Sequence, residues 1–211
     1  MSAKKRSQTQ TILQAASLLL AYPDEELIGR LDVIEAAVAQ TAAGALFAPT
    51  IAHLREGDLS ELQSFHVQEF DLSRRHAMHL SYWTDGDTRK RGEVLAAFKQ
   101  TYRDSGLLVD LGGELPDHLP MVLEFTACGD FERGLDLLNK YRAGIELLRL
   151  GLRRDGIPHE GVIEAICTCL VGPMASSRVE VQRLYGTNFT DAPPVEQVGL
   201  ETYQIQLGRP M

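Results

Sequence analysis

A chain of 211 residues, 44% hydrophobic and 24% charged, is long and apolar enough to bury a core without disulfide staples. Its net charge of −8 argues against general nucleic-acid binding, which needs a basic surface to displace counterions. Three cysteines, an odd count, provide no disulfide framework and fit a reducing compartment.

Almost every segment reads as helix. Lys4-Lys5-Arg6 is expected to be a frayed polar start. Ile12, Leu13, Ala16, Leu19 and Leu20 then make one apolar stripe, closed by Pro23. The apolar run at residues 15–21 is far short of the roughly 20 residues of a membrane span. Gln14 and Ser17 interrupt it at amphipathic spacing, and Tyr22-Pro23-Asp24 makes a poor cleavage site. A cytoplasmic protein is therefore expected, rather than an exported or membrane-inserted one. Asp24 is placed to cap a second helix with Leu27, Leu31, Ile34 and Val38 on one face. A short helix follows between Gly44 and Gly57, with Pro49 near its start. Asp58 and Glu61 stand at capping-box spacing before a helix that carries Leu62, Phe65 and Phe70 to Asp71.

A further helical stretch is expected over residues 74–83, stopped by Thr84-Asp85-Gly86. Asp87 or Thr88 starts the next helix, with Val94, Leu95, Phe98 and Tyr102 as its buried face and Gly106 as its end. After a loop comes Glu114-Leu115-Pro116-Asp117-His118-Leu119-Pro120, an abrupt entry into a buried helix. Asp117 is expected as its N-cap, with Pro120 at about the third helical position. Asp130 caps a long helix reaching about Arg154, in which Gly134, Gly144 and Gly151 permit close packing. Pro158 opens another helix, Pro173 breaks it, and a last one runs to about Tyr185. The expectation is an all-α fold. One globular helical domain of about eight to ten helices covers residues 8–185, followed by an extended or partly disordered tail over residues 186–211. Leu200, Tyr203, Ile205 and Leu207 make that tail more apolar than solubility requires, so it is a candidate to dock on the groove or along its own surface.

No catalytic set assembles from these residues. There is no phosphate-cradling glycine loop and no serine elbow. His66, His76 and His79 lack the Glu-x-x-His spacing of a di-iron bundle. Cys167 and Cys169 form one Cys-x-Cys pair without a second pair, and read as small core residues. Arg89, Lys90 and Arg91 fall on nearly one turn, as a solvated helix start or a site for an acidic partner. Neither metal nor cofactor is expected, and a binding protein is the natural class. A metal carrier or enzyme built on the histidines and cysteines is the distant alternative.

Three stretches in order carry a resemblance: Leu-Leu-Leu-Ala-Tyr-Pro-Asp at residues 18–24, residues 65–92, and residues 114–127. Together they resemble the respiratory nitrate reductase delta-subunit family of NarJ-type assembly chaperones, within a wider superfamily of helical molybdoenzyme chaperones. The family's Tyr-x-x-Leu-Phe-Asp signature falls on residues 66–71, where Phe70 and Asp71 match while His66 and Glu69 replace the tyrosine and leucine. The resemblance implies a non-enzymatic, client-specific chaperone. Such a protein binds the N-terminal segment of the catalytic alpha subunit while molybdenum cofactor is inserted, before membrane attachment. Its partners are that peptide and the cofactor-delivery machinery. The alternative client is another molybdoenzyme, such as a dimethyl sulfoxide or trimethylamine oxide reductase. An amphipathic client helix needs an apolar groove with charges at its rim. Phe70, Tyr82, Trp83, Leu119 and Leu123 are expected to line it. Asp71, Arg89, Arg91, Asp117 and His118 are expected to orient the peptide.

Overall fold

The computed structural model describes residues 1–85 and 90–185, where the chain forms eleven α-helices and no strand. The all-α class read from periodicity is the class observed. The helices are α1 (Ala3–Leu19), α2 (Glu25–Val38), α3 (Ala48–Glu56), α4 (Leu59–His66), α5 (Tyr82–Asp85), α6 (Lys90–Asp104), α7 (Leu119–Cys128), α8 (Phe131–Lys140), α9 (Arg142–Asp155), α10 (Glu160–Cys169) and α11 (Arg178–Tyr185). A 3₁₀ turn, Gly44–Phe47, leads into α3, and a π-helical turn, Val67–Asp71, prolongs α4. Arg89 and the apolar positions of the C-terminal segment, Leu200 to Leu207, lie outside the described residues.

Helix α1 is the centre of the core, packed against α7 and α10. Leu13, Ala16 and Leu20 are completely buried there, and each buried leucine stabilises the fold by roughly 1.5–3 kcal/mol. Two side chains fix the α1–α7 register. Ser17 Oγ donates to Pro120 O at 2.8 Å, and Gln10 Nε2 to Ala127 O at 2.9 Å. The basic start is not frayed. It is the first turn of α1, with Ser2 accepting from Lys5 N–H and the Arg6 guanidinium lying 4.6 Å over the Phe131 ring.

Local capping chemistry explains several helix starts. Asp24 Oδ1 accepts from Leu27 N–H at 2.8 Å, Asp58 from Ser60 N–H at 2.9 Å and Asp130 from Arg133 N–H at 3.1 Å. The long helix expected after Asp130 divides at Tyr141, whose ring packs on Phe98 at 5.0 Å. Gly134 is needed for contact with α7, because a Cβ there would sit 2.3 Å from Thr126 Oγ1.

Past the break, Arg142, Glu146 and Arg149 share one face of α9, and all three are buried. Glu146 takes one guanidinium on each oxygen, Arg142 at 3.2 Å and Arg149 at 2.8 Å. The same arginines donate to the carbonyls of Val171, Pro173 and Ala175. One carboxylate between two cations thus ties the connection before α11 onto α9.

The helix expected over residues 74–83 is absent apart from the start of α5. Residues 72–81 form an irregular connection whose polar backbone is satisfied across the chain. Leu80 N–H donates to Asp117 O at 3.0 Å and Leu119 N–H to Met78 O at 2.8 Å, a single antiparallel bridge between His79 and His118. Gly144 of α9 leaves room for Trp83 against this connection, since a Cβ there would lie 3.1 Å from the Trp83 side chain.

Candidate functional site

That bridge puts two distant pieces of sequence on the floor of one open cleft of about 620 Å³. Phe70 and Asp71 enter it from the π-helical turn, which inserts an extra residue and re-aims the end of α4. Such turns recur at functional sites. Met78, His79 and Tyr82 come from the irregular connection and α5, Arg91 from α6, and Glu114, Leu115 and His118 from the joint before α7. The rim is apolar and open: Leu72 is 73% exposed, Tyr22 50% and Leu115 39%. Arg74, Arg91, Asp71 and Glu114 supply charges of both signs. A cleft with apolar side chains at its rim and charges on its walls has the chemistry that accepts an amphipathic segment.

Of the ten residues singled out in the sequence, Phe70, Asp71, Tyr82, Arg91 and His118 line this cleft. Trp83, Leu119 and Leu123 do not. Leu119 and Leu123 are completely buried in the core, where α7 faces α1. Trp83 is buried too, and its indole N–H donates to Ala77 O at 3.0 Å, holding the irregular connection from behind.

Asp117 is not the N-cap. His118 occupies the cap position of α7 without a side-chain cap bond, and Pro120 stands in the first turn, where a missing N–H costs nothing. The Asp117 carboxylate is instead completely buried. Its Oδ2 accepts from Ser81 N–H at 3.0 Å and Ser81 Oγ at 2.5 Å, with Arg91 Nη2 at 3.9 Å. Oδ1 is buried without a hydrogen-bond partner among the described residues. From the α6 side, Tyr102 OH donates to Pro116 O at 2.6 Å. Both anchors fix the joint beneath the cleft, and Arg91 also lies 5.8 Å over the Tyr82 ring.

Two histidines of the cleft, His118 and His66, are tuned toward neutrality. Burial, reinforced by His79, whose ring lies 5.2 Å away, lowers His118 to about 4. Burial also lowers His66, against the opposing pull of Asp71. Behind Phe70 sits a ring cluster of His53, Phe65, His66 and His159. His159 is fully buried and lowered to about 3. Among the described residues no group of three or more His, Cys, Asp or Glu side chains is arranged to hold a metal. Cys167 is buried, and desolvation raises its thiol to about 12, the state of an unreactive core residue.

Sequence reasoning missed the rim. Tyr22, Leu72 and Leu115 looked like ordinary helix-end or loop residues, although each lies inside one of the three matched stretches. Glu114 and Arg74 carried no local signal, because only the bridge at His79 and His118 gathers them.

A family model described as nitrate reductase delta subunit matches residues 34–154. Nitrate reductase-like protein NarX of Mycobacterium tuberculosis (strain H37Rv) is 39% identical over 156 residues, 74% of this chain and 24% of that protein. The chain therefore spans about a quarter of that relative's length. A Bacillus subtilis (strain 168) protein named "Probable nitrate reductase molybdenum cofactor assembly chaperone NarJ" is 30% identical over 165 residues, 76% of this chain and 89% of that one. A crystal structure from Archaeoglobus fulgidus, described as that of a redox enzyme maturation protein, covers 75% of this chain and 91% of its own with a TM-score of 0.58. At 20% identity the likeness is one of fold.

Proposed function

The chain belongs to the nitrate reductase delta subunit family, and from that membership we propose that it is a dedicated assembly chaperone for a respiratory nitrate reductase. It holds the N-terminal segment of the catalytic alpha subunit in the cytoplasm, while molybdenum cofactor is inserted and before membrane attachment. The name of the Bacillus subtilis relative supports this reading. No described helix is long and apolar enough to cross a membrane, which agrees with a protein that acts before the enzyme reaches one. Its work is binding rather than catalysis.

One observation carries the choice of site. The two most distinctive stretches of the sequence, residues 65–92 and 114–127, both contribute to the cleft and are joined at its floor. The rim there leaves Leu72, Tyr22 and Leu115 uncovered, while the walls carry Asp71, Arg74, Arg91 and Glu114. A client helix would lay its apolar face over the rim and pair its charges with the walls. Uncovered apolar side chains beside fixed charges mark a surface meant to be covered.

The test is a fluorescence titration with a labelled peptide covering the alpha-subunit N-terminal segment. Arg74→Glu and Leu115→Asp alter exposed wall and rim side chains and leave the core intact. Both variants are expected to bind more weakly than wild type. Wild-type affinity in both, with unchanged circular dichroism, removes the cleft as the client site.

A further inference from the structure

His76 lies outside the cleft lining, yet it is the most heavily constrained side chain of the wall behind it. Its side chain is 1% exposed. Nδ1 stands 3.0 Å from Glu69 Oε2 in the π-helical turn, and Nε2 stands 3.0 Å from Asp155 Oδ2 at the end of α9. The ring donates to both carboxylates when it carries a proton on each nitrogen, and to one of them otherwise. Asp155 is kept ionised, because Arg154 bonds to it and holds its carboxyl at about 2. Arg75 adds a longer contact to the same carboxylate at 3.9 Å.

Backbone packing enforces the same contact from the other side. Gly151 of α9 faces the wall directly, and a Cβ there would lie 2.9 Å from Arg75 O and 3.4 Å from the His76 ring. A glycine in the third turn of a helix costs about 1 kcal/mol relative to alanine. Here it gives the irregular connection its seat. The connection's other ties include the bridge and the Ser81–Asp117 bonds at its far end, and the local bond from the Trp83 indole to Ala77 O.

We propose that His76 is a positioning residue for client binding: by clamping Glu69 to Asp155 across the back of the wall, it sets the orientation of the π-helical turn and of the connection that carries Leu72, Arg74 and Met78 into the cleft. The role rests on the cleft being the client site. The clamp touches no client. It acts on Phe70 and Asp71 through Glu69, one and two residues away, and on Arg74 and Ala77 through the backbone on either side of His76. Side chains that pack on a binding wall without touching the ligand change affinity by changing the wall's populated shape.

Two variants approach the clamp from opposite sides. His76→Gln keeps a polar side chain but bonds at most one carboxylate well, and Gly151→Ala pushes the wall outward while favouring the helix. Trp83 is the single tryptophan, and its bond to Ala77 O makes its emission a reporter of the wall in the absence of client. In both variants, acrylamide quenching of Trp83 is expected to rise and affinity for the labelled alpha-subunit peptide to fall roughly tenfold, within the range found for substitutions that touch neither ligand. His76→Lys, which places a cation with several donors between the two carboxylates, is expected to recover part of the affinity relative to His76→Gln. Quenching that rises in both variants while affinity stays at the wild-type value makes His76 a purely structural clamp and overturns the role. Wild-type protein that fails to bind the peptide overturns the cleft itself, and the role falls with it.

Discussion

Leu72 offers the cleanest perturbation of the rim, because it is large, apolar and 73% exposed. Replacing it with serine removes nothing from the core, so the free protein should keep its stability to within about 0.5 kcal/mol. Binding is a different matter. Fully burying a leucine contributes about 2 kcal/mol, and a client that covers the exposed 73% gains about 1.5 kcal/mol from this side chain. That corresponds to about a tenfold weaker Kd for Leu72→Ser. The loss should appear mainly as faster dissociation, since the rim residue carries no charge to steer encounter. Fluorescence anisotropy with the labelled alpha-subunit peptide measures Kd, and stopped-flow mixing measures the rates. An unchanged Kd in a variant with wild-type stability rules out client contact at the rim, because the client would then leave its most exposed apolar residue uncovered.

Other expectations follow from the buried polar groups. Glu146→Gln leaves Arg142 and Arg149 buried with, among the described residues, Glu160 at 3.8 Å from Arg149 as the remaining carboxylate, and should cost about 3 kcal/mol or more in urea unfolding; a loss under about 1 kcal/mol would contradict the network. Asp117→Ala removes the acceptor of Ser81 N–H and Oγ–H and should lower stability by about 3 kcal/mol, so weaker client binding by this variant would follow from a collapsed joint rather than a lost contact. Acid should weaken the fold well above the carboxylate range. His118 falls to about 4 and His159 to about 3 when folded, while the unfolded chain takes up protons near 6.5. Their contribution is complete above pH 6.5 and is lost as pH falls toward the folded values, by up to about 2 kcal/mol each at pH 5. Denaturant unfolding that gives equal stability at pH 7 and pH 5 would contradict the burial of these rings.

Much of the fold was legible because local rules governed it. Asp24, Asp58 and Asp130 cap the helices that they precede, and the apolar stripe of α1 faces the core as its spacing predicts. The cleft was legible only in part, since its shape comes from long-range hydrogen bonds. Residues 74–81 contain neither proline nor glycine and suit a helix, but the amide of Leu80 and the carbonyl of Met78 pair with residues 117 and 119 instead. Asp117 stands where an N-cap would stand, yet its carboxylate turns inward to Ser81, 36 residues away. No local pattern distinguishes those two uses of an aspartate before a helix. The break at Tyr141 likewise has no proline or glycine beside it on its N-terminal side. The buried charges on α9 left a trace in their spacing, residues 142, 146 and 149 on one face, but helix faces with that charge pattern are usually solvated.

In the function proposed for this protein, the client's N-terminal segment occupies the cleft. The most direct test is amide NMR of the isotopically labelled protein titrated with the unlabelled alpha-subunit peptide. The largest shift changes are predicted at residues 67–82 and 114–118, with Tyr22 among them. Saturable binding whose changes fall instead on the outer faces of α2 and α3 would contradict the claim.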